Sequence, residues 1–422
     1  MKRIYTPTKR KKILIVDDDE TVASIYRNKF EDEQFAVDVA SNGERALQLL
    51  EESPVDLVIL DSSLPGMNGV ELLQAIRSRP GSAALPVIVF SNAYVPGLTQ
   101  AVSAAGASRC VKKSDCTPRQ MVKLVRAAID PSFGPGPAPA RKQPDRIDET
   151  ELNDLEKAFQ ANLVADFLAN TPQKILNLRN GYREFVNANL ENLRLVELSE
   201  MHQEARFLAG AAGIAGFHKI AELTSALESL LDQLSNKPAK ITPSVIRTIA
   251  QAVDSLAALV NGSTNYEIEK TIVPAVLVVD DEAISRETIC SALEKADLAV
   301  IGLEDPMAAE QVLEGTHFDL IFLDVEMPGL SGIELCAKIR KMMMNRATPV
   351  VFVTAHSDFG NRAKSSLSGG NDFIAKPVLP GELAVKALTW LFMERLTPVP
   401  TMKIAPAGRN VTQPQALKAL AG

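Results

Sequence analysis

The chain has 422 residues, 46% hydrophobic and 23% charged, a globular balance that excludes wholesale disorder. Against 52 Asp and Glu stand 45 Lys and Arg, and the resulting net charge of −7 argues against direct DNA binding. No apolar run reaches the roughly 18 residues of a membrane span, and the four cysteines (Cys110, Cys116, Cys290, Cys336) form no CxxC pair, which excludes a disulfide framework or a zinc site. These features predict a cytoplasmic protein of several domains.

Residues 1–10 form a basic flank (Lys2, Arg3, Lys9, Arg10), read as solvated. From 11 to 130, short apolar runs alternate with helix-like segments. Ile13 to Val16 runs into Asp17 and Asp18; Leu57 to Leu60 ends on Asp61, followed by Pro65 and Gly66; Val87 to Phe90 ends on Ser91; Lys113 comes last. Glu44–Glu51 and Met121–Ile129 carry helical periodicity between and after these runs. Strand–helix alternation of this kind predicts a doubly wound parallel sheet, and such sheets gather functional groups outside the carboxyl ends of their strands.

Residues 131–147 are a Pro-rich linker. From 148 to 265 the pattern is helical. Leu152, Leu155, Phe159, Leu163 and Phe167 make one stripe, and Leu223, Leu227, Leu230, Leu231 and Leu234 another, while Thr242 is placed to cap a helix opening at Pro243. Four or five helices here predict an all-α bundle. Residues 273–396 then repeat the first pattern: Asp280 and Asp281, Asp324, Thr354 and Lys376 stand 263 positions after their counterparts, with the internal steps of 44, 30 and 22 kept. The Met342–Met344 run is expected at a helix end in contact with the core. The tail, 397–422, holds four prolines (Pro398, Pro400, Pro406 and Pro414) and is expected to be poorly ordered.

Three carboxylates converging at strand ends repel one another unless a cation sits among them, and an oxygen-rich cluster open to water suits Mg²⁺. A Lys and a hydroxyl at the same rim suit phosphate oxygens. Together these are the parts needed for phosphoryl transfer onto an aspartate.

With these residues each repeat resembles a receiver domain of two-component response regulators, of flavodoxin-like fold with a five-stranded parallel sheet. The resemblance implies that Asp61 and Asp324 are phosphoacceptors. It implies that Asp17, Asp18, Asp280 and Asp281 bind Mg²⁺, with the backbone carbonyls of Ser63 and Glu326 completing the shell. Ser91 and Thr354 would turn toward the phosphoryl group, and Lys113 and Lys376 would bind it. The copies depart unequally from the family. The second has Lys376-Pro377, usually joined by a cis peptide bond, and an aromatic switch residue, Phe373; the first has Lys113-Ser114 and Cys110.

The middle region resembles the signature helix of histidine phosphotransfer (HPt) domains, with Leu208, Gly210, Ala212 and Gly216 in frame. Arg206 stands where that family has its phosphoacceptor His, and Ala209 where it has Lys. A guanidinium stays protonated and cannot act as that nucleophile, but it can hold phosphate oxygens, so Arg206 is expected to clamp a receiver's aspartyl phosphate rather than carry phosphate. His202 lies one turn earlier on the same face. His218, His317 and His356 match no metal spacing, and the Gly210, Gly213, Gly216 series is read as close helix packing. The resemblances imply a signalling protein rather than an enzyme, phosphorylated by a sensor histidine kinase or an HPt protein and acting on a downstream protein partner. Two other readings stand beside it: a relay through His202, and a scaffold or phosphate sink that competes for a kinase.

Overall fold

A computed structural model describes residues 10–91, 98–113, 116–129, 149–262, 273–355 and 369–393, without the side chains at 98, 99, 149–157 and 159. Residues 1–9, the Pro-rich linker, Ser114, His356 and the tail from 397 lie outside the described residues, as do the side chains of Leu152, Leu155 and Phe159. The chain divides into two compact units, Met1–Thr171 with Arg206–Glu222, and Pro172–Ala205 with Leu223–Gly422.

In the first unit the apolar runs become strands β1 (Lys12–Val16), β2 (Ala36–Ala40), β3 (Leu57–Asp61), β4 (Val87–Ser91) and β5 (Arg109–Lys112). They pair in parallel in the order β2-β1-β3-β4-β5. β3 and β4 are buried at every position, which is why they read as continuous hydrophobic runs rather than alternating ones. Helices α1 (Glu20–Asp32), α2 (Gly43–Glu52), α3 (Gly69–Arg77) and α4 (Leu98–Ala104) connect them, and α5 (Pro118–Ile129) follows the last. The side chain of Asp19 caps α1 by accepting from the Thr21 and Val22 amides, and Asn68 and Glu71 form a capping box on α3.

Two helices of the middle region add to this unit: the start of α6 (Glu149–Asn187) and the end of α7 (Glu191–Ala215). Leu163 of α6 and Ile214 of α7 are buried in one core cluster with Val22, Tyr26 and Phe30 of α1. Phe167 stacks on Phe217 with ring centroids 4.7 Å apart, and Gln160 Nε2 donates to the Ala215 carbonyl at 3.0 Å. Gly216 takes φ +87°. It therefore supplies the left-handed turn after α7 that glycine adopts without steric cost.

The second unit repeats the sheet with β6 (Ala275–Val279), β7 (Ala299–Leu303), β8 (Leu320–Asp324), β9 (Val350–Thr354) and β10 (Asp372–Ala375), ordered β10-β9-β8-β6-β7 and parallel throughout. Its helices are α10 (Ala283–Glu294), α11 (Pro306–Gly315), α12 (Gly332–Ile339) and α13 (Pro380–Met393). The Lys376–Pro377 bond is cis. The middle region contributes α8 (His218–Asn236), from Leu223 onward, and α9 (Pro243–Gly262). The predicted stripe of Leu223, Leu227, Leu230, Leu231 and Leu234 is fully buried, and Thr242 Oγ1 caps α9 by accepting from the Val245 amide at 3.2 Å.

α9 packs on α13 through a polar seam inside an apolar surround. Ser244 Oγ and Thr248 Oγ1 donate to Glu382 Oε1 at 2.6 and 3.2 Å, and Lys386 Nζ reaches Asp372 Oδ2 at 2.6 Å and Gln251 Oε1 at 3.3 Å. Burial raises the Glu382 carboxyl above its ordinary range, against the Ser244 hydrogen bond and Lys386. The methionine run departs from expectation. α12 ends at Ile339, so the run lies in the turns beyond it, where Met342 packs on the core while Met343 and Met344 are exposed. No helix among the described residues is long and apolar enough to cross a membrane.

Two glycines fix the loops that follow the strand-end aspartates. A Cβ on Gly332 would lie 1.9 Å from the Asp324 carbonyl oxygen, and one on Gly69 would lie 2.5 Å from that of Asp61. Gly332→Ala should therefore destabilise its unit by about 3 kcal/mol, and Gly69→Ala by less, as read from denaturant midpoints. For Glu382 the folded-state pKa is raised, so the stability it lends at low pH is lost as pH rises. Glu382→Gln, which keeps an acceptor for Ser244, should match wild type below the ordinary carboxylate pKa of about 4.3 and exceed it in stability by pH 8.

Candidate functional site: acidic clusters at the strand ends

The sequence-predicted residues converge in both repeats. Asp17 follows β1, Asp61 and Ser91 end β3 and β4, and Lys113 follows β5; Asp280, Asp324, Thr354 and Lys376 occupy the same places on β6, β8, β9 and β10. In each repeat the three carboxylates bring one oxygen apiece within 4.8 Å of the others: Asp17, Asp18 and Asp61 in the first, Asp280, Asp281 and Asp324 in the second.

In the first cluster the Lys113 ammonium is 4% exposed and lies 2.9 Å from Asp17 Oδ2 and 2.8 Å from Asp61 Oδ2. Burial pushes the Asp17 carboxyl up to about 6, with Lys113 pulling it back and Asp61 adding to the rise. Burial also acts to lower Lys113, but the Asp17 and Asp61 carboxylates outweigh it and hold the ammonium above its ordinary range. Asp61 Oδ1 accepts from the Ser63 amide at 3.1 Å. Ser91 Oγ lies 3.8 Å from Cys110 Sγ.

A second cation completes this cluster: Arg206, expected from sequence to hold a receiver's aspartyl phosphate, stands on the carboxylates themselves. Arg206 of α7 pairs with Asp18 Oδ1 at 2.5 Å and with Asp61 Oδ2 at 2.8 Å, and it also donates to the Ser63 carbonyl oxygen. Burial raises the Asp18 carboxyl, and Arg206 acts to lower it. The signal was an Arg at the signature position of an HPt-like helix; the sequence did not say which of the two receivers it meets, nor that Asp18 and the Ser63 carbonyl share it. Ala209 is buried, and Gly210 lies against Val22, where a Cβ would stand 3.4 Å from Val22 Cγ2.

In the second cluster Lys376 Nζ lies 2.7 Å from Asp324 Oδ2 and 3.0 Å from Asp280 Oδ2. Burial would lower this ammonium, but its bonds to Asp324 and Asp280 raise it above its ordinary range; burial likewise raises the Asp324 carboxyl against Lys376. Ser285 Oγ donates to Asp280 Oδ2 at 2.6 Å and the Glu326 amide to Asp324 Oδ1 at 3.3 Å, while Asp281 is exposed. On β10 the Phe373 ring lies under the Arg247 guanidinium, 3.8 Å from it, so the aromatic absent from the first copy is held by α9 in the second. In the middle region of the second unit, His202 Nε2 stands 4.0 Å from Glu228 Oε1.

A parallel sheet with an acid trio and a Lys at its strand ends defines a receiver. The response regulator receiver domain family matches residues 13–126 and 276–388, together more than half of the chain, and the Hpt domain family matches 162–259. The chain belongs to the response regulator receiver family, with an HPt domain between its two receivers. Transcriptional regulatory protein ResD of Bacillus subtilis is 38% identical over 125 residues, 29% of this chain and 50% of that protein. The phosphate regulon regulator PhoB of Escherichia coli is 33% identical over 149 residues, 35% of this chain and 63% of that protein. The chain thus spans less than two thirds of these relatives. Sensor protein GacS of Pseudomonas syringae is 31% identical over 130 residues, 30% of this chain and 14% of its own. Among solved structures, a receiver domain protein from Methanospirillum hungatei is 25% identical at a TM-score of 0.28, covering 29% of this chain and 96% of that one. The receiver domain of a Pseudomonas aeruginosa sensor histidine kinase, solved with magnesium in its active-site cleft, is 27% identical at a TM-score of 0.27, covering 28% and 98%. Receiver and HPt domains are the modules of two-component phosphorelay signalling and are not typical enzymes.

The two ammonium groups differ in burial, with side-chain exposures of 5% for Lys113 and 16% for Lys376. Removing one partner of a buried ion pair costs about 3 kcal/mol or more. Lys113→Met should therefore destabilise its receiver by about that amount at pH 7, and Lys376→Met by less, as measured by hydrogen exchange of the β3 and β8 amides in the full chain.

Proposed function

We propose that this protein accepts phosphoryl groups on Asp61 and Asp324 from a histidine kinase or an HPt protein, and that its own HPt-like helices read the first receiver without carrying phosphate. The observation that supports this most is the paired geometry: in both receivers the acceptor carboxylate lies within 3 Å of a buried or half-buried ammonium and beside two further acids.

In the reaction a carboxylate oxygen of Asp324 attacks the phosphorus of a phosphohistidine. The new O–P bond forms as the P–N bond breaks, and the electron pair leaves with the imidazole. Lys376, already on Asp324 Oδ2, is placed to take a phosphoryl oxygen, and Thr354 stands at the end of the neighbouring strand. The chemistry of the donors suits Mg²⁺: three clustered carboxylates share one ammonium, so a hard cation offsets the remaining charge. Asp280, Asp281, Asp324 and the Glu326 carbonyl would hold it in the second receiver, and Asp17, Asp18, Asp61 and the Ser63 carbonyl in the first. When bound it supplies charge neutralisation for the phosphoryl oxygens.

The HPt helix carries Arg206 at its signature position, and Arg206 is engaged with receiver carboxylates. A guanidinium so placed binds and does not transfer. The relay reading keeps one supporting observation, the Glu228 carboxylate beside His202, which could orient its imidazole.

With a small phosphodonor and Mg²⁺, Asp61→Asn and Asp324→Asn should each remove part of the acyl-phosphate label and together remove all of it. Label that persists in the double variant would refute the assignment of these acceptors. No acid-labile, base-stable phosphohistidine is expected on the middle region; its appearance, and its loss in His202→Ala, would establish the relay instead.

A further inference from the structure

The acid cluster of the first receiver already holds a cation of the chain's own. One atom, Arg206 Nη2, lies 2.5 Å from Asp18 Oδ1, 2.8 Å from Asp61 Oδ2 and against the Ser63 carbonyl oxygen, three acceptors gathered around its two hydrogens. Asp18, Asp61 and Ser63 are three of the four groups assigned above to a divalent ion, and a single nitrogen bridging all three stands where that ion would stand. Mg²⁺ takes oxygens at about 2.0–2.1 Å in near-octahedral array, so it and the guanidinium cannot share these ligands.

The placement of Arg206 is supported along α7. One turn on, Gly210 lies against Val22 of α1, and a further turn on, Ile214 is buried in the core cluster with Leu163, Val22 and Tyr26. The Arg206 side chain is 13% exposed. The second receiver differs at the same positions. Its counterpart to Val22 is Ser285, which bonds Asp280, and the preceding residue, Ile284, is 76% exposed on α10.

We propose that Arg206 is the resident cation of the first receiver, and that docking of α7 there and binding of a divalent cation exclude each other. The two receivers are then unequal by design of their sites. The second takes metal freely, whereas the first takes it only when the end of α7 leaves. The proposal rests on the reading of Asp17, Asp18 and Asp61 as a metal site, and the test separates the two.

In the full chain carrying Asp281→Asn and Asp324→Asn, which weakens the second site, Mn²⁺ binding is measured by the paramagnetic resonance of the free ion. Adding Arg206→Ala should tighten Mn²⁺ binding at the first site at least tenfold. Equal, measurable affinity with and without Arg206 overturns the exclusion and leaves the metal site standing. Absence of binding in both chains overturns the exclusion together with the metal reading. A second measurement needs no substitution at Arg206: in the wild-type chain, saturating Mg²⁺ should speed hydrogen exchange of amides 206–215, and unchanged exchange overturns the proposal.

Discussion

Mutual repulsion of carboxylates governs both receivers. Parallel strands that end side by side place three acids within a few ångströms, and two such charges 4 Å apart repel by about 1 kcal/mol in water and several times that where water is scarce. The fold can keep them together only by bringing cations to the same spot. The last strand of each sheet does so with Lys113 or Lys376, each bonded to two acids at once. One ammonium for three acids leaves a deficit of positive charge, and in the first repeat Arg206 reduces it.

The two copies meet the same deficit differently. The first draws a guanidinium from a helix far along the chain. The second keeps Asp281 exposed and steadies Asp280 with Ser285, while α9 attaches to its outer strand. Identical spacing of the strand-end residues therefore says little about how either site is used, because Arg206 and α9, which lie outside the repeat, engage the two copies differently.

The sheets were legible because burial on both faces leaves an unbroken apolar run before each polar strand end, and because two copies in register at an offset of 263 confirm one another. The helical stripe on α8 was legible from its period, and the Thr242 cap from its position before Pro243. Arg206 was legible as a substitution in a known frame, but its pairing with Asp61, 145 residues away, was not. The same holds for Arg247 on Phe373. Side-chain pairing between distant segments leaves no periodic trace. Met343 and Met344 misled because apolar composition alone does not say where a helix stops.

β10 is the outermost strand of its sheet, and an outer strand presents unpaired backbone groups that invite pairing with other chains. α9 closes part of this rim: Arg247 Nη2 donates to the Phe373 carbonyl oxygen at 3.4 Å, and the guanidinium covers the ring beside it. The sequence repeat begins after α9, yet the folded body does not. A fragment cut at the repeat boundary would bare a strand edge and an apolar helix face together, and would be prone to edge-to-edge aggregation. The natural limit of this receiver, as a packed body, therefore lies at least as far back as Pro243.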